Sequence, residues 1–155
     1  MGSVFDLYLP ALTGSSVPPA EKKPGLFRGR GRVLVVDDDE IILRAAGEAI
    51  RRMGFSVQGA ADGQEGIDLY RQAMEAGAPF DAVIMDLTIP GGMGGMEAVG
   101  GLLKLDPNAK AIVSSGYADN PVMSRFREFG FSGAVAKPYR IEELGEVLKQ
   151  VLEAG

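Results

Sequence analysis

The chain has 155 residues, 46% of them hydrophobic, a formal net charge of -5, and neither cysteine nor histidine. That supports one domain with its own core and excludes wholesale disorder, disulfides and thiolate metal sites, while the acidic balance argues against nucleic-acid or membrane-surface partners. No apolar run nears the ~20 residues that span a bilayer and no signal peptide opens the chain, so a cytoplasmic location is expected, and any imidazole its chemistry needs must come from a partner.

Residues 1–31 differ from the rest. Val4-Phe5-Asp6-Leu7-Tyr8-Leu9-Pro10 is a β-prone run closed by proline, with no strand beside it to pair with. Ser16 to Gly25 is rich in Pro, Ser and Lys, and Arg28-Gly29-Arg30-Gly31 continues it, so 11–31 reads as a linker. The tail holds Asp6 and Glu21 against Lys22, Lys23, Arg28 and Arg30, a net +2, which leaves residues 32–155 at -7.

From residue 32 the pattern alternates. A strand at 32–37 precedes a helical stretch at 40–53, and a strand at 55–60 precedes a helix at 63–77, opened by Asp62 and Glu65 in capping-box spacing. A strand at 81–86 leads through a glycine-rich loop to a helix at 95–105. A strand at 110–115 precedes a helix opened by Asn120-Pro121, a cap followed by a first-turn proline. A last strand at 133–136 leads to a helix at 141–153, where Ile141, Leu144, Val147, Leu148, Val151 and Leu152 share one face. Five strands alternating with five helices predict an α/β fold with a doubly wound five-stranded parallel sheet.

Four of the strands are short apolar runs, which suits burial on both faces. Val33–Val36 ends in Asp37-Asp38, Ala82–Met85 in Asp86, Ala111–Val113 in Ser114-Ser115, and Ala134–Ala136 in Lys137-Pro138. Ligands of such sheets bind outside the carboxyl ends of the strands. Adjacent strands lie ~4.8 Å apart, so three carboxylates from two strand ends can converge. Alone they would repel, and at least one pKa would rise; Mg²⁺, a hard cation with oxygen ligands, resolves the conflict. Lys137 adds a point charge and Ser115 a hydroxyl for phosphoryl oxygens, leaving Asp86 as the nucleophile of an acyl phosphate.

Taken singly, each residue has a plainer reading. Asp37 or Asp39 is a helix cap, Ser114 and Ser115 are loop or cap residues, Lys137 is a solvated charge, and Pro138 is a strand stop. The Gly91-Gly92-Met93-Gly94-Gly95 run lacks the Lys-Ser/Thr of a P-loop and the spacing of a dinucleotide fingerprint, and reads as a flexible connection. What favours chemistry is the joint occurrence of these groups, in order, at four strand ends.

Val35-Val36-Asp37-Asp38, Met85-Asp86-Leu87-Thr88-Ile89-Pro90, Ser115-Gly116 and Ala136-Lys137-Pro138-Tyr139 together make residues 32–154 resemble a receiver domain of two-component signalling, with its flavodoxin-like fold. The resemblance implies that Asp86 accepts a phosphoryl group from the phosphohistidine of a histidine kinase or histidine phosphotransfer domain. It implies that Asp37, Asp38 and Asp86 hold Mg²⁺ with the backbone carbonyl of Thr88, and that Ser115 and Lys137 contact the phosphoryl group, which is later passed on or hydrolysed. It also implies a cis Lys137–Pro138 bond. Residues 1–10 resemble the closing strand of a histidine-kinase ATP-binding domain, which would make 32–155 the C-terminal receiver of a hybrid sensor kinase. One departure concerns output: where many receivers carry a switching aromatic on the last strand, this chain has Ala134, with Tyr117 and Tyr139 only nearby.

Two other classes compete. A Mg²⁺-dependent phosphohydrolase with an aspartyl-phosphate intermediate commonly has an Asp two residues after its nucleophile, where this chain has Thr88, and it needs a cap domain. A non-phosphorylated interaction module has no need of Asp37, Asp38, Asp86, Ser115 and Lys137 together.

Overall fold

The computed structural model of the chain describes residues 27–117 and 119–153. The expected closing strand at 1–10 and the linker as far as residue 26 lie outside the described residues. The expected elements form with boundaries shifted by a residue or two: β1 (Arg32–Val36), α1 (Glu40–Arg52), β2 (Ser56–Ala60), α2 (Gly63–Glu75), β3 (Ala82–Asp86), α3 (Gly95–Leu105), β4 (Ala111–Ser115), α4 (Pro121–Ser124), β5 (Gly133–Ala136) and α5 (Ile141–Glu153). All the strands run parallel, in the order β2-β1-β3-β4-β5.

Local chemistry starts the helices where the sequence places them. Asp39 accepts from the Ile41 N–H ahead of α1, and Asp62 from the Glu65 N–H ahead of α2. Glu65 in turn accepts from the Ala61 N–H at 2.8 Å, one residue ahead of the cap. Asn120 caps α4, which nevertheless stops after four residues. Arg125 leaves the helical region at φ -120°, and a 3₁₀ turn at Phe126–Phe129 ends on Gly130. Met123 is the one buried side chain among these two segments, so little packing exists to extend the helix beyond its cap.

Alternation along the strands builds two cores. Leu34, Val36, Val83, Met85 and Val113 face α2 and α3, against Ile67, Tyr70, Ala98 and Leu102. Val33, Val35, Ile84, Ile112 and Val135 face α1 and α5, against Ala46, Ile50, Leu144 and Leu148. With both faces covered, the sheet's free functional surface is its carboxyl-terminal edge.

Residues 27–31, counted with the linker by composition, lie against the domain. The Phe27 ring centroid is 6.2 Å from that of Phe55. The Gly29 N–H donates to the Met53 carbonyl at 2.8 Å, and the Ser56 N–H to the Gly31 carbonyl at 2.8 Å. Gly54 makes this crossing possible. Its φ is +102°, and a Cβ there would sit 2.4 Å from the Gly29 carbonyl oxygen. Gly54→Ala is therefore expected to destabilise the protein by about 2 kcal/mol or more. Gly100→Ala, in the middle of α3 with open space around it, should instead stabilise by roughly 0.5–1 kcal/mol. Urea denaturation of the two variants checks both signs.

Candidate functional site

Backbone pairing carries four chain segments to the carboxyl-terminal edge. The Asp37 N–H donates to the Ala60 carbonyl at 3.0 Å, extending the β1–β2 ladder beyond Val36. The Leu87 N–H donates to the Ser114 carbonyl at 2.8 Å, and the Lys137 N–H to the Ser115 carbonyl at 2.9 Å. The side chains at these ends are thus anchored on sheet backbone rather than on free loops.

Asp37, Asp38 and Asp86 each offer a carboxylate oxygen to one cluster, with all three atoms within 4.8 Å of one another. Asp37 is 1% exposed and Asp86 7%, while Asp38 is open to solvent. The Lys137 ammonium lies between the buried pair, 2.7 Å from Asp37 Oδ2 and 3.0 Å from Asp86 Oδ2. The other Asp37 oxygen, Oδ1, accepts from the Asp39 N–H at 2.9 Å. Burial pushes the Asp86 carboxyl above its ordinary range, helped by the Asp37 charge. Lys137 and a backbone interaction with Thr88 pull it back without overcoming the rise. Burial would lower the Lys137 pKa, but its hydrogen bonds to the two carboxylates outweigh that and raise it, so the ammonium stays charged.

Three carboxylates against one ammonium leave two negative charges uncompensated. An all-oxygen donor set with one solvent-facing member fits a small hydrated divalent cation such as Mg²⁺.

Ser115 is buried, and its Oγ accepts from the Tyr117 N–H at 3.0 Å. Among the described residues, no hydrogen bond joins the Ser115 hydroxyl to the carboxylates or to Lys137. Thr88 lies two residues past Asp86 with its side chain exposed. The Lys137–Pro138 bond is cis. Ala134 packs on the α2/α3 side of the sheet and Tyr139 on the α1/α5 side, so the aromatic that follows Lys137 is separated from the Ala134 position by the sheet.

The glycine-rich segment expected as a flexible connection is ordered. The Gly92 N–H donates to the Ile89 carbonyl at 3.1 Å around Pro90 and a left-handed Gly91, the signature of a tight turn. A Cβ on Gly94 would lie 2.5 Å from the Leu87 carbonyl oxygen. These glycines bring α3 close under Asp86 rather than loosening the loop.

Sequence reasoning missed one polar contact. The Tyr139 hydroxyl donates to Ser114 Oγ at 2.9 Å, linking the residue after the cis proline to a fully buried strand serine. Only the adjacency of Tyr139 to Lys137-Pro138 hinted at it.

The family described as response regulator receiver domain matches residues 33–149. The chain is 31% identical over 121 residues to chemotaxis protein CheY of Thermotoga maritima, an alignment covering 77% of this chain and 96% of that protein. It is 27% identical over 161 residues to sensor kinase CckA of Brucella abortus, covering 98% of this chain and 17% of the kinase. Among solved structures, response regulator protein TrrA of Thermotoga maritima in complex with Mg²⁺-BeF superposes with a TM-score of 0.66 at 28% identity, covering 79% of this chain and 99% of that one.

The upward shift of Asp86 sets a stability prediction. A carboxyl whose folded pKa lies above its unfolded value binds more protons when folded, so its contribution weakens as pH rises between the two. In metal-free buffer, Asp86→Asn should be more stable than the parent at pH 7. The gain should shrink toward zero as pH falls below about 4, where the carboxyl is protonated in both states. Thermal melts across that range in the presence of a chelator provide the measurement.

Proposed function

The chain belongs to the response regulator receiver domain family, and from that premise we propose that it is a phosphoacceptor that takes a phosphoryl group from a phosphohistidine onto Asp86. The observation that carries the proposal is a half-buried ammonium shared by two buried carboxylates from different strands, with a third carboxylate beside them. In the transfer, an Asp86 carboxylate oxygen forms a bond to phosphorus as the phosphorus–nitrogen bond of the donor breaks, and the electron pair leaves with the donor's imidazole. The work is positioning and charge neutralisation. Lys137, already seated against Asp86, meets the negative charge that the phosphoryl oxygens bring. Ser115, at the end of β4, donates its hydroxyl to another of those oxygens. Asp37, Asp38, Asp86 and the Thr88 carbonyl are the residues that would hold Mg²⁺. When bound, that ion supplies charge neutralisation and an octahedral template for oxygen ligands.

The donor histidine lies outside these 155 residues, in a histidine kinase or histidine phosphotransfer domain, because they contain none. The rim suits a protein surface: Ile41 is 75% exposed just past β1, Met96 42% past β3, and Tyr117 76% past β4. The TrrA relative, solved with Mg²⁺-BeF, supports the same cation and a tetrahedral phosphoryl group here. Alignment with a sensor kinase over 98% of this chain takes in most of the residues ahead of 32. It supports a hybrid sensor kinase origin, with 1–10 as a closing strand, 11–31 as a linker, 32–155 as the receiver, and work in the cytoplasm.

Incubation with acetyl phosphate and Mg²⁺, followed by intact mass, should give a gain of one phosphoryl group. Asp86→Asn should abolish it, and the Asp37→Ala, Asp38→Ala double variant should lose the dependence on Mg²⁺. Phosphorylation of Asp86→Asn at the parental rate would overturn the assignment.

A further inference from the structure

Neither Ser114 nor Tyr139 is used by the chemistry above, yet the two are bonded beside it. Ser114 is 0% exposed and is the register partner of Asp86 across the β3–β4 ladder. Alternation puts Ile84, Ile112 and Val135 on the α1/α5 side, and the same alternation brings Asp86, Ser114 and Lys137 to that side. Tyr139 packs there too and closes the gap with its hydroxyl, 2.9 Å from Ser114 Oγ.

The segment 137–139 is therefore tied to β4 at both ends. A backbone bond from Lys137 to the Ser115 carbonyl holds its start, and the Tyr139 side chain holds its finish. Lys137 projects from between these ties, and β5 is a four-residue edge strand paired with β4 alone. Burial pushes the Tyr139 phenol up to about 12, with the charges of Lys137, Asp37 and Asp86 all acting on it. The hydroxyl thus keeps its proton at every working pH and faces the charged cluster.

We infer that Tyr139 is a positioning residue: its bond to Ser114 fixes the 137–139 segment so that the Lys137 ammonium stays against Asp86 and meets the phosphoryl group arriving there. Without it, the segment keeps one anchor, and the ammonium gains freedom to swing toward solvent. The inference rests on Asp86 being the acceptor.

Two readouts separate the inference from that reading. The first is the NMR signal of the Lys137 ammonium, observable while the group is held in its pair, and it needs no phosphorylation. Tyr139→Phe and Ser114→Ala should each broaden or remove it. The second is the phosphorylation rate with saturating acetyl phosphate and Mg²⁺. Each variant should fall roughly tenfold, less than the ~100-fold that a 1 Å misplacement of the reacting groups can cost. The double variant should fall no further, since both changes break the same bond. In a Lys137→Met background, Tyr139→Phe should have no additional effect, whereas a merely structural role would still add its cost. An unchanged ammonium signal in both single variants overturns the inference, and so do additive losses or a further fall in the Lys137→Met background. A parent protein that gains no phosphoryl group overturns the acceptor reading alone, and the ammonium signal still decides the tether.

Discussion

One ammonium between two buried carboxylates governs this molecule's working edge. Asp37 and Asp86 end adjacent strands, and the sheet order that makes them neighbours also forces like charges together in a poorly hydrated place. Burying such charges is expensive unless they are paired. Lys137 arrives from β5, with β4 between it and Asp86 and a further strand between it and Asp37. At ~4.8 Å per strand, a short side chain would fall short, and the lysine stem spans the distance. A compact ammonium with three donors can also sit between two carboxylates at once. Even so, the cluster remains anionic, and that residual charge makes the edge receptive to a divalent cation.

The rest of the fold keeps that arrangement from relaxing. Two cores clamp the sheet from both sides, so the strand ends cannot drift apart without opening packed side chains. Asp37 is held further by the Asp39 N–H, and Asp39 is itself the cap of α1. The start of that helix is thereby coupled to the orientation of a carboxylate in the cluster.

Much of this was legible in the amino-acid order because it followed from period and position. Val33–Val36 and Ala82–Met85 read as buried strands by their short apolar runs and the helical stretches between them, and in a parallel sheet the charged residues that end them emerge on one edge. For the fourth helix the sequence marked the start, at the Asn120-Pro121 cap, but a cap does not set a length. The segment behind it buries little beyond Met123, and burial is what extends a helix in a domain. The glycines after Pro90 looked loose by composition, but glycine also marks close backbone approach, and Gly94 beside the Leu87 carbonyl is such a case. The Ser114–Tyr139 bond joins residues 25 apart across a strand and a cis peptide, and no periodicity reports it. Phe27 was hidden among arginines and glycines, whose composition resembles a tether even where the chain is docked.

That docking has a mechanical meaning. Phe27–Gly31 grips the end of α1 and the start of β2, at the pole of the sheet opposite the carboxylates. A pull or twist from whatever precedes Phe27 is first borne by the Phe27–Phe55 contact and the two backbone bonds at Gly29 and Gly31. The chain then enters β1 at its far end from Asp37. The domain is thus moored at one pole and reactive at the other, with the length of the sheet between the contacts that take the load and the carboxylates.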